Sequence, residues 1–386
     1  MQTYIKRQLG QKIEKSLKNY PVTVILGPRQ CGKSTLAKAI ISKLPKAIYL
    51  DLEKPSDLRK LENPEFYFSN HQDKLICLDE IQLYPHLFSL LRSVVDETGR
   101  NGQFLLLGSA SRDLIQHSSQ SLAGRISLLE LTPFLFSELE TQKISYQILW
   151  ERGGYPKSLL AKNLEQSYNW RENFIKTFLE RDISQLGFKI PSQSISRLWR
   201  MLAHHHGQII NLSQLGNSMG LSHTTIRTYI DLLEQTFMIR TLPAYETSLK
   251  KRLVKSPKVY IRDSGILQTL LEIENFEALV GHPVFGASWE GFCLEQVLNE
   301  VSDWRFYHYR TASQNEVDLI LEKSKKIQLI EFKTSKAPKL SKGFWTIHKD
   351  LKPDVTWVIC PVEDSYEIQK NVYVGNLKHY LQKKLH

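Results

Sequence analysis

Two stretches of this chain of 386 residues carry residue types at spacings suited to phosphate chemistry. The first is GPRQCGKS, residues 27–34, which fits the spacing G-x-x-x-x-G-K-[ST]. It follows the apolar run VTVIL and leads into STLAKAI, so strand, loop and helix are expected in that order. In that setting Gly27 and Gly32 let backbone N–H groups turn inward around phosphate. Lys33 places a positive charge on β- and γ-phosphates, and Ser34 offers a hydroxyl to Mg2+, with Thr35 beside it in the binding set. LICLDE, residues 75–80, is the matching acidic motif: Asp79 would hold Mg2+ through water, and Glu80 would orient or deprotonate the attacking water. The second stretch is EVDLILEKSKKIQLIEFK, residues 316–333. Alternation predicts two strands joined by KSKK. Side chains two apart on a strand share a face, so Glu331 and Lys333 project together and Asp318 reaches that face from the neighbouring strand.

Other elements must hold these groups. AIYLDLE (47–53) and FLLLGSAS (104–111) read as two further strands. Ser109 and Ser111, with Arg112 close by, are candidates to sense a γ-phosphate, and Ser111 serves equally well as a helix cap. Arg125 is either a finger reaching a neighbour's nucleotide or a plain surface arginine. Strands alternating with helical stretches predict an α/β fold with a doubly wound parallel sheet. Around the second stretch, SWEGFCLEQVLNEV (288–301) reads as an amphipathic helix with Phe292, Leu294, Val297 and Leu298 toward the core. WRFYHYR (304–310) and VTWVIC (355–360) read as strands, with a further helix before the latter.

Between these regions, residues 134–205 read as helices broken at GGYP. LSQLGNSMG is a short helix ending at Gly220, and Ser222 caps the helix that follows. A short helix, a tight turn and a longer helix make a helix-turn-helix, and FMIRTLPAYET after it suits a wing strand. His223, Thr224, Thr225 and Arg227 then lie at the end that meets base edges. That face carries little positive charge, and such folds also serve as oligomer contacts or linkers. SLKKRLVKSPKVYIR (248–262) has six Lys or Arg and no acid. Lys250, Lys251 and Arg252 are its expected DNA phosphate contacts, a solvated basic loop being the other reading. His204, His205 and His206 cannot all face one metal from a helix, and read as a helix-end polar cluster.

The formal charge of +11 and pI near 9.3 favour an anionic partner. Residues 321–352 alone hold nine Lys against three acids. Four separated cysteines, a charged N-terminus and no apolar run of spanning length predict a reduced, cytoplasmic protein without a membrane role.

GPRQCGKST, LDEIQLYP, GSAS and LAGRISLLELTPFLFSEL together resemble AAA-type ATPases of a large prokaryotic family whose members continue into a C-terminal domain of unknown function. RGGYP, FLERDI and LVKSPKVYIRDSGIL resemble that second region. The resemblance implies binding and hydrolysis of ATP, and a homo-oligomer that completes its sites between subunits. The C-terminal order of helix, strands, helix and strand resembles restriction-endonuclease-like nucleases, which carry a helix glutamate, a strand aspartate and Glu-x-Lys. On that resemblance Glu290 takes the helix acid, with Glu295 as a rival. Asp318 takes the strand acid and Glu331 and Lys333 the last pair, so that Glu290, Asp318 and Glu331 would hold Mg2+. An inactive descendant used for binding is the other reading. The expected organisation is an ATPase domain over 1–140, a helical lid or linker over 141–205, a winged helix-turn-helix over 206–247 and a nuclease-like domain over 248–386. The expected function is ATP-driven DNA processing, on branched or junction DNA. Its alternatives are an ATP-controlled switch that cuts nothing and a protein-remodelling ATPase.

Overall fold

The computed structural model describes residues 4–109, 122–185, 190–246 and 254–383. The chain forms two compact units, one of residues 1–142 with 235–237, the other of 143–234 with 238–386. Among the described residues, no helix is long and apolar enough to cross a membrane.

The first unit is built on β1 (Val22–Gly27), β2 (Ala47–Asp51), β3 (Leu75–Asp79), β4 (Phe104–Ser109) and β5 (Ile126–Glu130). These form one parallel sheet in the order β2-β3-β4-β1-β5. β1, β3 and β4 are buried at every position, as a parallel sheet covered on both faces requires. The pleat divides their side chains. Val22, Val24, Leu26, Ile76, Leu78 and Leu106 pack with Leu91, Val94 and Val95 of α3 (Leu87–Thr98). Ile25, Cys77, Leu105 and Leu107 pack with Ile13 of α1 (Leu9–Asn19) and with Leu36 and Ile40 of α2 (Lys33–Ile41). The expected doubly wound parallel sheet is thus present. Residues 134–142 depart from the expected helix and form two 3-10 turns, Phe136–Glu138 and Glu140–Gln142. The Glu138 carboxylate there accepts N–H groups from Leu135 and Gln8, which replaces helical bonding with a local knot.

The second unit opens with α4 (Tyr146–Arg152) and α5 (Leu164–Thr177), which runs into a π-helical turn over Phe178–Asp182, then α6 (Ser192–His204). Next come β6 (Gln208–Ile209), α7 (Leu212–Met219), α8 (His223–Gln235), β7 (Ile239–Leu242) and β8 (Lys258–Ile261), with an antiparallel sheet in the order β6-β8-β7. The turn between α7 and α8 follows the predicted residues. Gly220 is left-handed at φ 67°, and Ser222 Oγ accepts the Thr225 N–H at 3.1 Å. Gly216 adds a constraint: a Cβ there would sit 2.6 Å from the Leu221 carbonyl oxygen.

α9 (Ser264–Leu270) and α10 (Phe285–Glu300) lead to the last sheet. It comprises β9 (Arg305–Arg310), β10 (Glu316–Lys323), β11 (Lys326–Phe332), β12 (Val355–Ile359), β13 (Tyr366–Gln369) and β14 (Val372–Gly375), in the order β13-β14-β12-β11-β10-β9. β9, β10 and β11 are antiparallel neighbours, while β11, β12 and β14 run parallel. α11 (Lys342–Leu351) covers β10, and α12 (Leu377–Lys383) closes the described chain.

Two expectations fail here. α10 is buried on nearly every side from Ser288 to Leu298, Glu295 included, rather than along one apolar stripe. Trp150 of α4 is one reason: it stacks on Phe285 and Phe292, touches Trp289, and donates its indole N–H to Ser288 Oγ at 2.9 Å. Nor does β10 alternate as read. Its pairing with β9 is irregular between Val317 and Ile320, and both of those side chains enter the cluster formed with Phe344 and Ile347 of α11. A bulge at Asp318–Leu319 therefore resets the pleat where the candidate acid sits.

Candidate functional sites

The carboxyl ends of β1, β3 and β4 lie along one edge of the first sheet. Parallel register pairs Gly27 with Ser109, and β4 separates the two motif strands. Gly27 (φ 156°) passes under Leu131, whose carbonyl oxygen a Cβ would overlap. Gly32, at φ 102°, starts α2. Lys33 is buried, and its Nζ donates to the carbonyls of Gly27 and Pro28 at 2.9 Å each. Asp79 Oδ1 accepts the Glu80 N–H at 3.0 Å, and Oδ2 accepts the Tyr49 hydroxyl. Burial first, and then the bond to Asp79, pushes the Tyr49 phenol upward, so it stays a donor; neighbouring Ser34 pulls the other way. Glu80 holds a left-handed backbone at φ 59° and accepts from Gln82 Nε2. Ser109 is buried at the end of the strand between them, and among the described residues its hydroxyl has no hydrogen-bond partner.

These residues fit a nucleotide with Mg2+. The Ser34 hydroxyl and Asp79 carboxylate are hard oxygen donors that would hold the ion, which would neutralise phosphate charge. Thr35 is exposed on α2. Ser111 and Arg112 lie outside the described residues. Arg125 stands at the opposite end of the sheet, where its carbonyl accepts the Val22 N–H and its guanidinium pairs with Asp96. It therefore stands away from the phosphate loop of its own chain.

Sequence reading missed two supports. Tyr49 lies in a strand that the sequence marks only as a strand, and its bond to Asp79 depends on the fold. Arg7 lies before α1, with no spacing to mark it. It is buried and forks to the Cys31 carbonyl at 3.0 Å, the Thr132 carbonyl at 2.6 Å and Glu138 Oε2 at 2.9 Å, so it ties the phosphate loop to the chain after β5.

The second unit gathers the other set. The register Leu319↔Ile330 sets Asp318 opposite Glu331. Asp318 Oδ2 accepts the Phe332 N–H at 2.9 Å, and Lys333 Nζ donates to Glu331 Oε1 at 2.6 Å. Burial and then the facing Glu331 push the Asp318 carboxyl well above its ordinary range. Burial also raises Glu331, with Lys333 opposing. Glu290 of α10 contributes to both shifts and so belongs to this cluster. Its rival does not: Glu295 is gripped by Arg240 and Arg262, which overcome its burial and hold it down at about 2.

The expected Mg2+ does not fit this cluster as it stands. Among the described residues, no three His, Cys, Asp or Glu side chains are arranged to hold a metal ion. The reason is local: Glu290 Oε1 accepts from Lys258 Nζ at 3.1 Å and from the Tyr260 hydroxyl at 2.5 Å.

The expected DNA contacts divide. Thr224 and Arg227 are exposed on α8, and Thr225 is half-buried against the Ser222 cap. Lys250, Lys251 and Arg252 lie outside the described residues. Lys258 and Arg262, read as part of the same basic loop, are instead internal and ion-paired. His206 is buried, accepts the Ile261 N–H at 3.0 Å and is pushed down by burial to about 3, a neutral packing group.

A phosphate loop, an acidic pair at the next motif strand and a polar strand end between them define a P-loop ATPase domain of the AAA type. Residues 19–140 match the family model described as "AAA domain". Residues 144–277 match "Domain of unknown function (DUF8612)", and 285–380 match "Domain of unknown function (DUF4143)". Uncharacterized proteins of Mycobacterium tuberculosis and Mycobacterium bovis are each 37% identical over 367 residues, covering 95% of this chain and 82% of theirs. The chain belongs to the family of these proteins. A Walker-type ATPase of Pyrococcus abyssi is similar in fold, with a TM-score of 0.51 at 15% identity over 69% of this chain and 96% of that one.

Proposed function

We propose that this protein is an ATP-driven DNA-processing protein. The first unit binds and hydrolyses ATP, and the second holds DNA against a nuclease-like carboxylate–lysine site. The observation that carries the DNA part is the cluster of Glu290, Asp318, Glu331 and Lys333. Acids opposed across neighbouring strands weaken a sheet, and Asp318 sits at a bulge as well, which favours chemistry over packing. The order α10, β9, β10, β11, α11, β12 supports a restriction-endonuclease-like core. The order α6, β6, α7, α8, β7, β8 supports a winged helix that presents Thr224, Thr225 and Arg227 to DNA. The net charge of +11 supports a polyanionic partner.

At the nucleotide site, the chain's own groups have assignable tasks. Backbone N–H groups of the loop and Lys33 hold phosphate oxygens. Glu80 orients the attacking water and takes its proton, and Ser109 contacts the γ-phosphate. Sites completed between subunits, with Arg125 acting in trans, belong to the same proposal. At the C-terminal cluster, Lys333 would stabilise charge on a phosphodiester oxygen while Asp318 and Glu331 fix its position.

A second reading is favoured by the engagement of Glu290 with Lys258: ATP controls DNA binding, and nothing is cut. Incubating the purified protein with single-stranded, duplex and branched DNA, with Mg2+ or Mn2+ and with or without ATP, separates the two. The nuclease reading expects cleavage that disappears in Lys333→Ala and changes in Lys33→Ala. DNA bound but intact in every lane establishes the switch, and no binding to any DNA at moderate salt removes both.

A further inference from the structure

Lys258 is the unexpected member of the C-terminal cluster. It begins β8, and its side chain is only 3% exposed. Its ammonium reaches Glu290 Oε1 at 3.1 Å and pairs with Glu316, which in turn faces Arg310 at 3.7 Å. Tyr260, two residues further along the strand, donates to the same Glu290 oxygen. Asp318 also interacts with this ammonium.

This arrangement does a metal ion's work. Buried Asp318 and Glu331 and half-buried Glu290 bring three acids to one place, which is costly without a compensating cation, while Glu316 pairs with Lys258 from outside that set. A lysine ammonium is a compact charge with three donors. A hard divalent ion would need the same carboxylate oxygens. We propose that Lys258 is the resident cation of this cluster, and that a divalent metal ion must compete with it for Glu290 and the neighbouring acids. Because Lys258 rides on β8, bonded on both sides to β6 and β7, the sheet beside the helix-turn-helix sets how readily a metal enters. The link to DNA cleavage rests on the function proposed above; the competition does not.

The test is Mn2+ binding to the full-length, nucleotide-free protein, followed by the loss of the free-ion paramagnetic resonance signal. Lys258→Met is expected to create a site about 10–100-fold tighter than any in the wild type, the range by which groups around a metal tune its affinity. Adding Asp318→Asn should abolish that gain. Glu316→Gln, which loosens Lys258 without removing it, should give a smaller gain, and it decides the matter if Lys258→Met does not fold. Wild-type binding as tight as that of folded Lys258→Met overturns the proposal, as does the absence of any gain in Glu316→Gln when Lys258→Met cannot be folded. A gain in Lys258→Met with intact DNA in every wild-type lane keeps the competition and discards wild-type cleavage.

Discussion

The nucleotide site and the C-terminal cluster both bring lysine to a phosphate-sized problem, with opposite charge balance. In the first, Lys33 rests on the neutral carbonyls of Gly27 and Pro28, partners that phosphate oxygens readily outcompete. In the second, lysines already sit among carboxylates, with Lys333 on Glu331 and Lys258 between Glu290 and Glu316. A site of the first kind is built to receive an anion. A site of the second kind is compensated from within, and an incoming ion must displace something.

Substitutions in each region sharpen that contrast. The largest effect is expected from Lys33→Ala, which should lower ATP hydrolysis roughly 100-fold or more in a phosphate-release assay, as loss of a transition-state donor does. The contrast breaks if that variant also alters the Mn2+ binding gained by Lys258→Met. Glu295→Gln comes next, because it leaves Arg240 and Arg262 buried around a neutral group. A cost of about 3–5 kcal/mol is expected, read from the urea midpoint of the second unit. The sign with pH follows from a folded pKa held at about 2. The carboxylate's contribution is present above its unfolded value and is lost as pH falls toward about 2, so the variant should flatten acid unfolding in that window.

Arg7→Ala should destabilise the first unit by about 1.5–3 kcal/mol and weaken ATP binding. Lys at that position should restore little, because the fork to Cys31, Thr132 and Glu138 needs a guanidinium. The smallest effect has the opposite sign. Asp318→Asn should stabilise the second unit by roughly 0.2–1 kcal/mol in thermal melts, the scale of relieving like charges opposed across strands. The folded pKa of Asp318 is raised, so the wild type loses stability as pH climbs from the unfolded value through the folded one. The gain in the Asp318→Asn variant should therefore appear at high pH and vanish at low pH.

What could be read in the sequence follows the same divide. The phosphate loop is contiguous and works through its backbone, so spacing exposes it, and the buried strands around it announce Asp79 and Ser109. Gly220 and Ser222 punctuate their helices for equally local reasons. Arg7 and Tyr49 act across the fold on the loop and on Asp79, and nothing near them in the chain marks that role. In the second unit, the polar residues of α10 imitate a solvent face because Arg240 and Arg262, far away in sequence, neutralise Glu295. The regular look of EVDLILE conceals a bulge, since alternation records residue type and not pleat. Lys258 was hidden in a basic run whose charge suggested solvent, although Glu290 and Glu316 hold it inside.

The central claim is that the nucleotide unit serves DNA. The most direct measurement is the steady-state rate of ATP hydrolysis by the full-length protein at moderate salt, with and without duplex and branched DNA, beside Lys33→Ala as the blank. The account predicts that DNA raises the rate and that added salt removes the increase, as phosphate contacts require. A rate that no DNA changes, from protein that hydrolyses ATP well alone, would contradict it and point to a protein substrate instead.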